Sequence, residues 1–122
     1  MTALTPVTIK GPFDAISANG ADFTFTQGST DGDTFACTGR QVLLVRNTHA
    51  TDAQTVTIDS VDDEQNRQND ITTYSLAAGE FAVFGIGLTN EQGWKTAAGI
   101  INLDCSSTDI YYAVLTLPAR YP

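Results

Sequence analysis

Thr55-Val56-Thr57-Ile58-Asp59 places polar and apolar side chains at alternate positions, the period of two that a strand with one buried face requires. Working outward, Ile110-Tyr111-Tyr112-Ala113-Val114-Leu115-Thr116-Leu117 is rich in β-branched and aromatic residues and fits a central strand. Gln41-Val42-Leu43-Leu44-Val45-Arg46 is a short continuous apolar run, which predicts a strand covered on both faces. Phe23–Thr26, Thr34–Cys37, Ile71–Leu76, Glu80–Phe84 and Gly99–Leu103 extend the series, and Thr5–Lys10 adds one more near the N-terminus. Between them lie turn signals: Asn19-Gly20, the loop Gly28–Asp33, Ala77-Ala78-Gly79 with Gly79 free to take positive φ, the polar connection Asp62–Asp70, and Gly85–Gly93 leading to Trp94. No stretch carries a helical stripe. The expectation is one all-β domain, a single antiparallel β-sandwich or barrel of about eight short strands, jelly-roll or immunoglobulin-like.

Composition bounds the function. The chain has 122 residues, 42% of them hydrophobic, enough for a core without a metal or disulfide. Lys and Arg total 6 and Asp and Glu total 14, a net charge of −8. That charge repels phosphate backbones and anionic lipid, so neither nucleic acid nor membrane is an expected partner. Met1–Lys10 lacks the basic start and unbroken apolar run of a secretory signal, which predicts folding in a cytoplasm. In that reducing setting Cys37 and Cys105, which match no zinc or redox spacing, read as small buried hydrophobes, with a single bridge as the alternative.

The chemistry-bearing residues do not converge. Asp31 and Asp33 in one loop, and Asp59, Asp62, Asp63 and Glu64 in another, invite calcium, but neither loop has the bidentate Glu of an EF-hand. His49, the one histidine, lies in a polar turn, and no Gly-x-Ser-x-Gly elbow is present. No dinucleotide fingerprint or phosphate loop occurs. The expectation is no enzyme, no cofactor and no metal. Trp94, Tyr111, Tyr112, Phe81 and Phe84 could stack on a sugar, but core or subunit-interface packing is the better use of them. Period two places Tyr111 and Tyr112 on opposite faces.

One ordered set of segments resembles a family. Thr38–Asn47, with Leu43-x-Val45-x-Asn47 inside it, is followed by Val56-Thr57-Ile58. Asp70–Gly85 comes next, carrying Ala77-Ala78-Gly79 before an aromatic strand, then Gly93-Trp94-Lys95, and the closing Tyr112–Pro118 ends in Leu-Pro. This order, over residues 34–118, resembles the small structural proteins encoded beside the major capsid protein in tailed-bacteriophage genomes. The resemblance implies a non-enzymatic capsid decoration or head-stabilising protein, made in the host cytoplasm and bound to the outer surface of a phage head. Its partners would be the major capsid protein and further copies of itself. The alternative is a fibre, connector or carbohydrate- and receptor-binding module using Trp94 and the Gly85–Gly93 loop.

The ends complete the organisation. Residues 1–20 carry Pro6, Gly11, Pro12 and Gly20 and are expected to form an extended N-terminal arm, with the sandwich over 21–122 and a short tail at 118–122. Arms of this kind can order against a neighbouring subunit. The expected interface residues are Pro6, Ile9, Phe13, Trp94, Tyr112, Arg120 and Tyr121.

Overall fold

The computed structural model describes residues 2–9, 22–61, 70–85, 94, 96 and 98–117. Ten strands occur among them: β1 (Thr2–Ala3), β2 (Val7–Thr8), β3 (Thr26–Gln27), β4 (Asp33–Ala36), β5 (Gln41–Asn47), β6 (Gln54–Ile58), β7 (Ile71–Leu76), β8 (Phe81–Phe84), β9 (Ile100–Cys105) and β10 (Ile110–Thr116). No helix occurs in the described residues. Sheet A has the order β1-β4-β9-β6-β7, and sheet B the order β2-β10-β5-β8 with β3 also on β10. Apart from β1 on β4 and β2 on β10, which are parallel, every pairing is antiparallel.

The pairings are nested. β6 pairs β7, β5 pairs β8, β4 pairs β9 and β3 pairs β10. Adding β10 on β5 and β9 on β6 winds this long folded-over hairpin into two facing sheets, the topology of a jelly roll. The immunoglobulin-like alternative is thereby set aside.

Alternation builds the core. Phe35, Val56, Ile58, Leu76, Ile101 and Leu103 of sheet A face Leu43, Val45, Ile110, Tyr112 and Val114 of sheet B, each at most 2% exposed. Burying one such aliphatic or aromatic side chain contributes about 1.5–3 kcal/mol, so the interleaved layer is the main source of stability. Gly79 takes φ +77°, as expected for the turn that carries the chain from β7 to β8. At Gly28 the need is space: a Cβ there would lie 2.8 Å from the Ile110 carbonyl oxygen and 3.1 Å from Cys105 Sγ.

Three expectations need correction. β5 is covered fully on one face only: Leu43 and Val45 are buried, Val42 and Leu44 half-buried and Arg46 exposed. A continuous apolar run has no phase, so it does not reveal which face is the covered one. β3 starts at Thr26, beyond most of the expected Phe23–Thr26, because only Thr26 and Gln27 meet β10. The start of the expected arm is part of the sandwich. β1 joins sheet A, Leu4 between the two strands is 7% exposed, and β2 joins sheet B. Residues 10–21 and 118–122, the remainder of both expected ends, lie outside the described residues, as does Asn19-Gly20.

Candidate interaction face

The two sheets present opposite chemistry outward. On sheet A, Asn102 and Asp104 of β9, Thr55 of β6 and Ser75 of β7 point away from the core, the usual polar surface of a half-buried sheet. Asp59 follows at the end of β6. Burial first, then the nearby Asp104 and Asp70 carboxylates, raise its affinity for a proton. Asp70 accepts hydrogen bonds from both the Ser60 N–H and Oγ at 2.7 Å, and these hold its carboxyl below the usual range.

Sheet B is different. The register sets Phe81 beside Arg46 and Arg46 beside Tyr111, then Val83 beside Leu44 and Leu44 beside Ala113, then Val42 beside Leu115 and Leu115 beside Val7. Those side chains all point outward, because the alternate members of the same strands fill the core. Phe81 is 59% and Val83 64% exposed. Ahead of β3, Phe23 and Phe25 extend the patch: their rings lie 5.6 Å apart, and Phe25 lies 6.1 Å from Phe81. The Arg46 guanidinium sits 5.2 Å over the Phe81 ring, a cation–π contact. Arg46 is the one charged side chain at the outward positions of the sheet B strands, and the exposed Asp22 immediately precedes Phe23. Phe81, Val83 and Phe23 are exposed, Val7, Phe25, Val42, Leu44, Tyr111 and Leu115 half-buried and Ala113 buried; exposed apolar side chains clustered in this way are a common feature of interaction surfaces and binding grooves.

The residues expected at an interface scatter. Pro6 and Ile9 are half-buried, with the Ile9 N–H donating to Thr116 O at 2.8 Å, so both belong to the edge where β2 meets β10. Trp94 is half-buried and packs against the core. Tyr112 is fully buried, a core residue and not a contact residue, because alternation turns Tyr111 outward in its place. Phe13, Arg120 and Tyr121 lie outside the described residues. Sequence reasoning passed over Phe23, Phe25 and Val83 as contacts, and left Phe81 between the core and a subunit interface. In Glu80-Phe81-Ala82-Val83-Phe84 every position after the first is apolar, so no periodicity announces a second apolar face; the pairing register was the missing signal.

The other candidates resolve locally. His49 Nδ1 accepts from the Thr51 and Asp52 N–H groups at 3.1 and 2.9 Å, and Nε2 lies 3.7 Å from Asp52 Oδ2, so the imidazole organises its own turn. In the loop Gly28–Asp33, Asp33 is 1% exposed and its Oδ2 accepts from the Ser29 N–H at 2.9 Å, closing the loop from inside. Among the described residues no group of three or more His, Cys, Asp or Glu could hold a metal; residues 62–69 of the second acidic loop lie outside them. Cys37 is not bridged to Cys105. The Cys37 N–H bonds the Gly99 carbonyl, while Cys105 ends β9, roughly 20 Å farther along at about 3.3 Å per residue. Burial pushes the Cys105 thiol up. Arg40 donates to the Leu117 carbonyl and so ties β5 to the end of β10.

Compared with family models, curated proteins and solved structures, the chain matches none.

Proposed function

We propose that this chain is a non-enzymatic virion structural protein, a capsid decoration protein that docks on the outside of a phage head through the outer face of sheet B. The observation that carries the reading is that face: Phe23, Phe25, Phe81 and Val83 around a single cation, Arg46, set against a polar and acidic sheet A on the opposite side. Such a domain has one adhesive side for the major capsid protein and one solvated side to face water. The order of segments over residues 34–118 supports the same role. A jelly roll by itself does not, because one fold serves many functions. Repetition helps a decoration protein: a contact made only with the assembled shell stabilises that shell by mass action, and many identical sites multiply the effect.

Heads stripped of the chain and recharged with it provide the test. Wild-type protein should restore occupancy and raise the temperature of head rupture. Phe81→Asp combined with Val83→Asp should lower occupancy by at least about tenfold while leaving the fold intact by circular dichroism. Copies in purified particles should number on the order of hundreds, as local symmetry on a shell requires. Absence from particles, or about a dozen copies or fewer, would overturn the reading in favour of another location.

A further inference from the structure

Every open sheet carries edges, and proteins normally blunt them with short strands, proline, charge or irregular backbone. Three of the edges here are blunted. β1, β2 and β3 are two residues long, and Pro6 precedes β2. β7 is irregular: its register with β6 shifts between Val56 and Ile58, and Thr73 takes φ +48°. β8 is the exception. Phe81-Ala82-Val83-Phe84 has no proline, glycine or charge, its pairing to β5 is regular, and it ends the sheet order β2-β10-β5-β8.

The ladder shows which groups point outward. The Asn47 N–H bonds Glu80 O at 3.0 Å on the β8 side, whereas the Thr48 N–H bonds Asp109 O at 2.9 Å, toward β10. Alternation then directs Val45 and Leu43 toward β8 and gives Ala82 and Phe84 to that pairing. The N–H and C=O groups of Phe81 and Val83 therefore face the open edge. These are also the two most exposed large apolar side chains among the described residues.

We propose that this edge of β8 pairs antiparallel with β8 of a second copy, in a two-fold register centred on Ala82. That register sets Phe81 opposite Val83 of the other copy twice over, so each pair exchanges two backbone hydrogen bonds and packs two outward side chains. A strand edge is matched by another edge of complementary register, and this one is complementary to itself. Charge selects the same occupant. A chain of −8 repels its copy, so two copies can meet only where the acids are not. Among the described residues β8 carries no charge and the outward positions of the sheet B strands carry Arg46 alone, with Asp22 ahead of Phe23, while Asp59, Asp70 and Asp104 lie on the side of sheet A. The nearest acid, Glu80, is turned to its own turn, where Oε1 accepts from the Ala77 N–H. The paired sheets would present one continuous apolar face from two copies, which doubles the area offered to a partner. The pairing rests on the edge and not on the capsid reading, so a chain that pairs in solution but never binds a head overturns that reading and leaves this one standing.

Sedimentation equilibrium of the full chain, from micromolar to millimolar loading, tests it. The wild type should move from the 13.0 kDa of one chain toward the mass of two as concentration rises. Val83→Pro removes only an outward N–H, which an edge position tolerates, and Val83→Lys keeps every backbone group while adding a charge. Each should weaken association at least about tenfold with an unchanged near-ultraviolet spectrum, and Val83→Thr should associate like the wild type. A wild type that stays at one chain throughout, association untouched by both Pro and Lys, or association abolished by Phe23→Ser alone would overturn the proposal; the last would move the contact from the edge to the face.

Discussion

Asn47 ends β5 fully buried, and its side chain binds three segments together. Nδ2 donates to the carbonyls of Asp52, Leu76 and Ala77 at 3.0–3.2 Å, and Oδ1 accepts from the His49 N–H at 2.9 Å. No aliphatic residue can replace this, because the buried Leu76 carbonyl left unpaired costs about 1–3 kcal/mol and two half-buried carbonyls lose a partner as well. Asn47→Ala should therefore lower unfolding free energy by about 3 kcal/mol in urea titration; a loss below half of that would mean that water enters and takes over the bonds. Tyr112 poses the reverse case. Its ring is core, but among the described residues the buried hydroxyl has only the Cys105 thiol beside it, a weak hydrogen-bonding group. Tyr112→Phe should accordingly keep or slightly raise the stability. Burial foremost, then Cys105, Asp33 and Asp104, push the phenol far above its ordinary value. With the folded value raised, the stability linked to this proton is complete below the unfolded value of about 10 and falls as pH climbs beyond it. Melting temperatures measured through that alkaline range should drop less steeply for Tyr112→Phe than for the wild type.

Strands long enough to show a period were legible, and those held only by their partners were not. β6, β7, β9 and β10 announce themselves through alternation or β-branched content, and Gly79 marks its turn. β1, β2 and β3 are two residues each, too short for any pattern; they exist because β4 and β10 present edges to them. The candidate face was half legible. Phe81 was expected in the core or at a subunit interface, yet Val42–Val45 and Phe81–Phe84 are apolar at every position, so only the register could assign Phe81 and Val83 to the outside. Thr73 was hidden for another reason: its φ of +48° belongs to a bulge in β7, where Thr72 and Thr73 together stand opposite Thr57 and the Thr73 N–H bonds Thr57 Oγ1 at 3.0 Å. A β-branched residue in that region is strained by about 1–2 kcal/mol. Asn tolerates the conformation and keeps the backbone N–H, so Thr73→Asn should stabilise the fold by about 1 kcal/mol. An unchanged or lower melting temperature would show that the Thr73 side chain makes a contact that offsets the strain.

At the scale of the whole molecule, the outward strand positions among the described residues are polar and acidic on sheet A and mostly apolar on sheet B, two layers about 10 Å apart. The net −8 acts on any approach between copies as a repulsion that reaches about a Debye length, ~10 Å at 0.1 M salt. The contact inferred for β8 is made of backbone hydrogen bonds and the side chains of Phe81 and Val83, none of which salt weakens. The two terms therefore respond differently to ionic strength: screening removes the repulsion and leaves the attraction. Association between copies should tighten as sodium chloride rises from about 0.02 to 0.5 M, and sodium sulfate should tighten it further, because it strengthens apolar burial. Arg46 sharpens the comparison. If it met a carboxylate of the second copy, salt would loosen the pair, whereas Arg46→Gln should leave both the affinity and its salt slope nearly unchanged. Sedimentation of wild type and Arg46→Gln across that salt range separates the cases, and a dissociation constant that grows with salt would place charge pairs, and not the β8 edge, at the contact.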